Sequence, residues 1–166
     1  MIHTRFKADA PPRALVPFLK KAHYIEVKTF QSRQGLRDFL AGCFSYSPSW
    51  LTLLYALRGK LVPLLGLQGH GAPQFKKVAP QDVPFRKGQK LAFFTVQHAE
   101  GNLWISGVSD KHLTAYLAAE KEQEHIRMYT LIEYHHWTGR LYYFIIAPFH
   151  HLVINAMIRA GLRAQP

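Results

Sequence analysis

The chain has 166 residues, 48% hydrophobic and 19% charged, which suits one domain with a sizeable core and excludes intrinsic disorder as the main state. Its single cysteine, Cys43, excludes an intramolecular disulfide and agrees with a cytoplasmic setting. The net charge of +11 is uneven: residues 1–90 carry fifteen Lys/Arg against four Asp/Glu, whereas residues 91–166 carry six against six. Such a basic half either attracts anionic membranes, nucleic acid or an acidic partner, or simply keeps the surface solvated.

Charged residues and prolines 11, 12 and 17 interrupt the first 21 residues, so no secretory apolar run is expected. Residues 1–22 read as an extended N-terminal arm and residues 23–166 as a single domain. Tyr24 to Phe30 (YIEVKTF) reads as the first strand. Ser32 is placed to cap a short helix from Gln34 to Phe44, with Leu36, Phe39, Leu40 and Cys43 on one face. Pro48 opens a second helix to Leu65, whose polar stripe is limited to Thr52, Ala56 and Lys60 and which is therefore expected to be covered on most sides. Arg58, Lys60 and Pro63 break this apolar segment, which argues against a transmembrane span.

Residues 68–89 are rich in glycine and proline, with a short strand expected near Phe75 to Val78. Strand-like runs follow at Lys90 to Gln97, Asn102 to Val108, Leu113 to Ala119, His125 to His136 and Arg140 to Ala147. The connections 121–124 and Trp137-Thr138-Gly139 are short enough for hairpins. Pro148 is suited to the first position of a final helix, with Phe149, Leu152, Val153, Ala156, Met157 and Ala160 on its buried face and Arg159 and Arg163 near its negative end. The order is β, α, α, several β, α: an α+β protein in which a curved antiparallel sheet grips a long C-terminal helix, with two short helices after the first strand.

That order resembles the helix-grip fold of the START-like (Bet v 1-like, SRPBCC) superfamily. Three segments further resemble domain-of-unknown-function family 2867: SPSWLTLLYALRGKLVPLLGL at Ser47 to Leu67, SDKHL at Ser109 to Leu113, and IEYHHWTGRLYYFIIAPFHHLVINAMI at Ile132 to Ile158. The resemblance implies no assigned reaction or catalytic residues. It implies binding of lipids, sterols, polyketides or other apolar molecules, and association with NAD(P)-dependent, short-chain-dehydrogenase-like oxidoreductases. No G-x-G-x-x-G turn follows a strand, so neither a dinucleotide site nor any other cofactor is expected.

Cavity candidates come from the inward strand positions Ile132, Tyr134, Tyr142 and Phe144 and from Phe149, Leu152, Val153, Ala156 and Met157 on the final helix. The alternative for these residues is a filled core. Among polar candidates, Asp110 and His112 lie at a turn entering a strand, where His112 either serves chemistry or ties down the turn through Asp110. Arg127, Tyr129, Glu133 and His135 share one strand face. Directed inward, Arg127 would hold an anionic head group and Glu133 with His135 an acid/base pair; directed outward, they form a charge ladder. The pairs His135-His136 and His150-His151 diverge on strand or helix and do not chelate one ion, so no metal is expected. Cys43, on an apolar helix face, reads as core, and no G-x-S-x-G elbow, zinc frame or RNP strand supports a nucleophile or nucleic acid.

The sequence thus supports a small-molecule-binding domain for an apolar ligand. The other readings are a cofactor-independent, polyketide-cyclase-like enzyme and a module that docks on an anionic membrane or an oxidoreductase partner.

Overall fold

An antiparallel sheet of six strands organises residues 10–64 and 76–164, which the computed structural model describes. A helical turn at Arg13–Leu15 leads into α1 (Val16–Lys21), β1 (Tyr24–Gln31), α2 (Leu36–Ser45) and α3 (Ser49–Leu64). A turn at Pro80–Asp82 precedes β2 (Lys90–Leu91), β3 (Phe94–Glu100), β4 (Leu103–Ser109), β5 (Leu113–Glu122), β6 (His125–Tyr134) and α4 (Trp137–Arg163). The strand order is β1-β6-β5-β4-β3-β2, so consecutive strands from β2 to β6 form a meander and β1 closes the far edge on β6. The curved sheet with its long C-terminal helix is compatible with a helix grip.

Strand alternation decides what each face buries. On the inner face, Leu117 and Ala119 of β5 and Ile126 and Met128 of β6 pack with Phe39, Leu40, Ile154 and Ile158 of α2 and α4. The outer face is covered as well: Leu15, which is fully buried, and Phe18 and Leu19 close over Ile105, Ala118, Tyr129 and Leu131. Residues 10–22 are therefore not extended as expected: they are helical over residues 13–21 and docked on the sheet, because Leu15, Phe18 and Leu19 fall on one apolar side.

The position of α4 depends on contact without side chains. A Cβ on Gly161 would lie 2.6 Å from Cys43 Sγ and 2.8 Å from the Phe39 carbonyl oxygen, and one on Gly42 would lie 2.9 Å from the Gly161 Cα. The Gln34 amide then donates to the Leu162 and Ala164 carbonyls at 3.2 and 2.7 Å, meeting carbonyls that the helix end leaves open.

Several expectations change. Arg140 to Ala147 is not a strand but the first third of α4, and Pro148 lies inside that helix rather than opening it. A continuous apolar run, LYYFIIA, carries no period that separates strand from helix. Pro148 removes the bond to the Phe144 carbonyl, and both residues lie on the exposed side of the helix, where such a break is best tolerated. Trp137-Thr138-Gly139 is the first turn of α4 rather than a hairpin: a Cβ on Gly139 would clash with the His112 carbonyl oxygen, so its glycine serves a close approach.

The buried face of α4 is also rotated from the expected one, since Ile154, Ile158 and Gly161 are buried while Phe149 and Leu152 are exposed. Ser32 does not cap α2: Gly35 holds the N-cap position, and Ser32 Oγ accepts from the Gln34 N–H at 3.3 Å. Lys90 to Gln97 splits into β2 and β3 at Ala92, whose φ of 53° bends the chain. Of the strand expected near Phe75 to Val78, Phe75 lies outside the described residues and 76–78 are irregular. Nor is α3 covered on most sides, because Leu53 and Leu57 are exposed.

Gly161→Val is expected to destabilise the protein by about 1–3 kcal/mol through overpacking against backbone that cannot withdraw. Urea denaturation would show this as a lowered midpoint with an unchanged slope.

Candidate functional site: an apolar cavity between sheet and helices

Between the inner sheet face, α3 and α4 lies a cavity of about 710 Å³. Its walls are mainly apolar: Leu51 and Leu54 of α3, Leu113 and Leu117 of β5, Ile132 of β6, and Val153, Ile154 and Met157 of α4. Such a volume and lining lie within the range of small-molecule sites, about 300–1,000 Å³.

Of the nine cavity candidates, Ile132, Tyr142, Phe149, Val153 and Met157 line the cavity. Tyr134, Leu152 and Ala156 do not, and Phe144 points to solvent with 78% of its surface exposed. Leu152 and Phe144 are turned outward by the rotation of α4 and by the helical rather than extended form of residues 140–147, whereas Tyr134 lies at the end of β6 and packs beside Tyr143.

The polar candidates separate similarly. Asp110 borders the cavity, but its Oδ1 accepts the backbone N–H groups of His112 and Leu113 at 2.7 and 3.0 Å. That is a turn-closing role. His112 contacts Thr138 through Nδ1 at 3.1 Å, and its carbonyl accepts the His135 N–H at 2.8 Å, joining the β5 entry to the start of α4. Arg127 is on the outer face, paired with Glu120 at 3.5 Å and with Glu122. Tyr129 donates to Glu120 at 3.0 Å, Tyr116 to Glu133 at 3.4 Å, and His135 Nε2 meets Thr114 at 2.8 Å. The set forms a cross-strand polar ladder turned away from the cavity, and Glu133 and His135 each engage a partner on β5.

Cys43 touches the cavity from α2, yet burial pushes its thiol well up, which leaves it the un-ionised, poorly nucleophilic form. Among the described residues no group of three or more His, Cys, Asp or Glu could hold a metal ion.

Two features escape the sequence reading. The first is Arg58 on α3, which borders the cavity and donates from Nε to the Tyr142 hydroxyl at 2.6 Å. Tyr55, one helical turn earlier on α3, lines the same region, and burial raises its hydroxyl against the opposing pull of Arg58. The spacing Tyr55 to Arg58, three residues apart on a helix, was the available signal.

The second feature is a polar seam where the edge strand β1 meets α4. Tyr24, Glu26 and Lys28 share the inner face, opposite Ile132, Thr130 and Met128 of β6. Glu26 Oε1 lies 3.3 Å from Lys28 Nζ and 3.2 Å from His151 Nδ1, and Lys28 donates to Asn155 at 2.7 Å. Beside them His150 is only half-buried as a residue, but its Nε2 is enclosed without a hydrogen-bond partner. Burial, reinforced by the neighbouring His151, pushes its pKa down to about 4.

Fold and site together define an α+β protein with a partly open apolar cavity between its antiparallel sheet and its helices. The chain belongs to the family described as protein of unknown function (DUF2867), whose model matches residues 18–157. No curated protein and no solved structure matches it.

The low pKa of His150 carries a sign. An unfolded imidazole titrates near 6.5, so between about pH 4 and that value the unfolded chain binds the extra proton. The contribution of His150 is complete above that window and is lost as pH falls through it. Urea unfolding should show a wild-type loss of about 2 kcal/mol from this group between pH 7.5 and 5, and His150→Leu should remove that part of the difference.

Proposed function

We propose that this protein is a cytoplasmic helix-grip domain of the START-like kind that binds an apolar or lipid-like small molecule between its sheet and its C-terminal helix. Residues 23–166 form the domain and residues 1–22 the arm that precedes it. The observation that carries this reading is the cavity of about 710 Å³ with its aliphatic and aromatic walls. A filled core would interdigitate side chains at crystal-like density and leave few voids larger than a water molecule. The cyclase-like alternative gains less support, because Arg127 and His135 stand on the opposite sheet face and His112 is engaged in the turn.

Val153 lines the cavity from α4 without being fully buried, so Val153→Trp should fill space rather than disrupt the core. Native mass spectrometry of the freshly purified protein is expected to show a small apolar adduct. Titration with the neutral fluorophore N-phenyl-1-naphthylamine should show saturable binding that weakens at least tenfold in Val153→Trp, with an unchanged far-UV spectrum. Wild-type protein with neither adduct nor saturable binding would overturn the reading.

A second reading has its own observation. On α4, Trp137 is 74% exposed, and Leu141, Phe144, Phe149 and Leu152 continue an apolar surface, with Leu53 and Leu57 exposed on α3. By length and composition alone α4 is the one helix among the described residues that could cross a membrane, but here Tyr142, Tyr143, Ile154 and Ile158 are buried. An apolar stripe on a protein of net charge +11 suits docking on an anionic bilayer surface. The protein should float with vesicles containing 30% phosphatidylserine at 50 mM salt, and Phe144→Glu should cut the bound fraction at least fivefold. Equal flotation with neutral vesicles would sink the electrostatic part, whereas no flotation would favour a protein partner, such as an oxidoreductase, on the same stripe.

A further inference from the structure

We propose that the ligand is an amphiphile with an anionic oxygen head group, a carboxylate or phosphate on an apolar chain, and that Arg58 and Tyr142 hold that head group. This inference rests on the cavity-binding reading above and adds the chemistry of one end of the ligand.

Charge at the cavity is one-sided. Arg58, Lys60 and Lys76 border it, against Asp110 as the acidic residue among the described lining. Asp110 has a structural task, since its Oδ1 closes the turn through two backbone N–H groups. No carboxylate among the described residues lies within ion-pair distance of Arg58, which is itself partly buried. A cation at the wall of an apolar cavity, with no protein anion beside it, is stabilised by an anion that arrives with the ligand.

The hydrogen-bonding geometry favours an oxyanion over any other anion. A guanidinium has five N–H donors in a rigid fork, and one of them, Nε–H, is directed to the Tyr142 oxygen at 2.6 Å. That bond uses Tyr142 as an acceptor. The Tyr142 O–H proton has no acceptor among the described residues, so it remains a donor beside the guanidinium. The result is a pair of donors, Arg58 and Tyr142, on the wall of a space whose lining, with Leu117, Ile132, Val153 and Met157 among it, is mainly apolar. A neutral hydrocarbon would leave those donors unmet, and a small free anion would leave the apolar walls wet. An anionic amphiphile satisfies both.

The test uses the full chain, with 11-(dansylamino)undecanoic acid and its methyl ester as probes of equal chain length. The expected result is that the acid binds at least tenfold more tightly than the ester. Arg58→Met should abolish that preference by weakening the acid and leaving the ester unchanged, and Arg58→Lys should keep part of it. Displacement of the bound acid by dodecanoate and by dodecyl phosphate then distinguishes the two head groups, the stronger competitor naming the class. Equal wild-type affinity for acid and ester would overturn the head-group assignment while leaving the cavity reading intact. Failure of both probes to bind would overturn both. Because the acid/ester ratio is measured first on wild-type protein, a poorly folded Arg58→Met variant does not protect the proposal.

Discussion

The architecture of the site depends on how closely α2 and α4 approach at Gly42 and Gly161, where added Cβ atoms would meet the opposing chain at 2.6–2.9 Å. This contact fixes both the height of α4 above the sheet and its rotation about its own axis. With that rotation set, Ile154 and Ile158 point down to the sheet, and the aromatic first half of the helix extends over β5 and β6 with Tyr142 and Tyr143 buried. Gln34 secures the same junction by reaching the last carbonyls of α4. The cavity is the space that remains once α3 lies beside this fixed helix.

Polarity is then distributed over two surfaces with different consequences. On the outer face, Arg127, Glu120, Glu122 and Tyr129 satisfy one another, as cross-strand polar groups commonly do. On the inner side the Glu26, Lys28, His151 and Asn155 seam joins β1 to α4 at the edge of the sheet. The other face of that edge strand, with Ile25 and Val27, is partly buried against the outer cluster that contains Leu15 and Tyr129. Arg58 belongs to neither network: it donates to the Tyr142 hydroxyl and acts electrostatically on Tyr55.

Much of the sheet was readable from period-two alternation. The strand over Tyr24 to Phe30, the strands beginning at Leu113 and His125, and the inward position of Ile132 all agree with the observed register. Residues 140–147 were not readable, because tyrosine, phenylalanine and isoleucine in an unbroken run fit a buried strand and a half-buried helix equally well. Pro148 then reinforced the error, since proline is common at helix starts and costly in helix interiors. Among the cavity candidates, Phe144 is turned to solvent by that change. Arg58 was visible only as an interruption in an apolar helix, because nothing local shows which neighbour a lone cation will meet.

The sequence by itself determined the α+β class, the antiparallel pairing of the sheet and the family, since each rests on local period, turn chemistry and the order of motifs along the chain. Tertiary structure decided where α4 begins, which side of it is buried, and that Arg58 and Tyr142, 84 residues apart, share one cavity wall. The reason is physical. A helix that is apolar on nearly every side has no preferred rotation of its own, and only the close glycine contact with α2 and the buried sheet face select one.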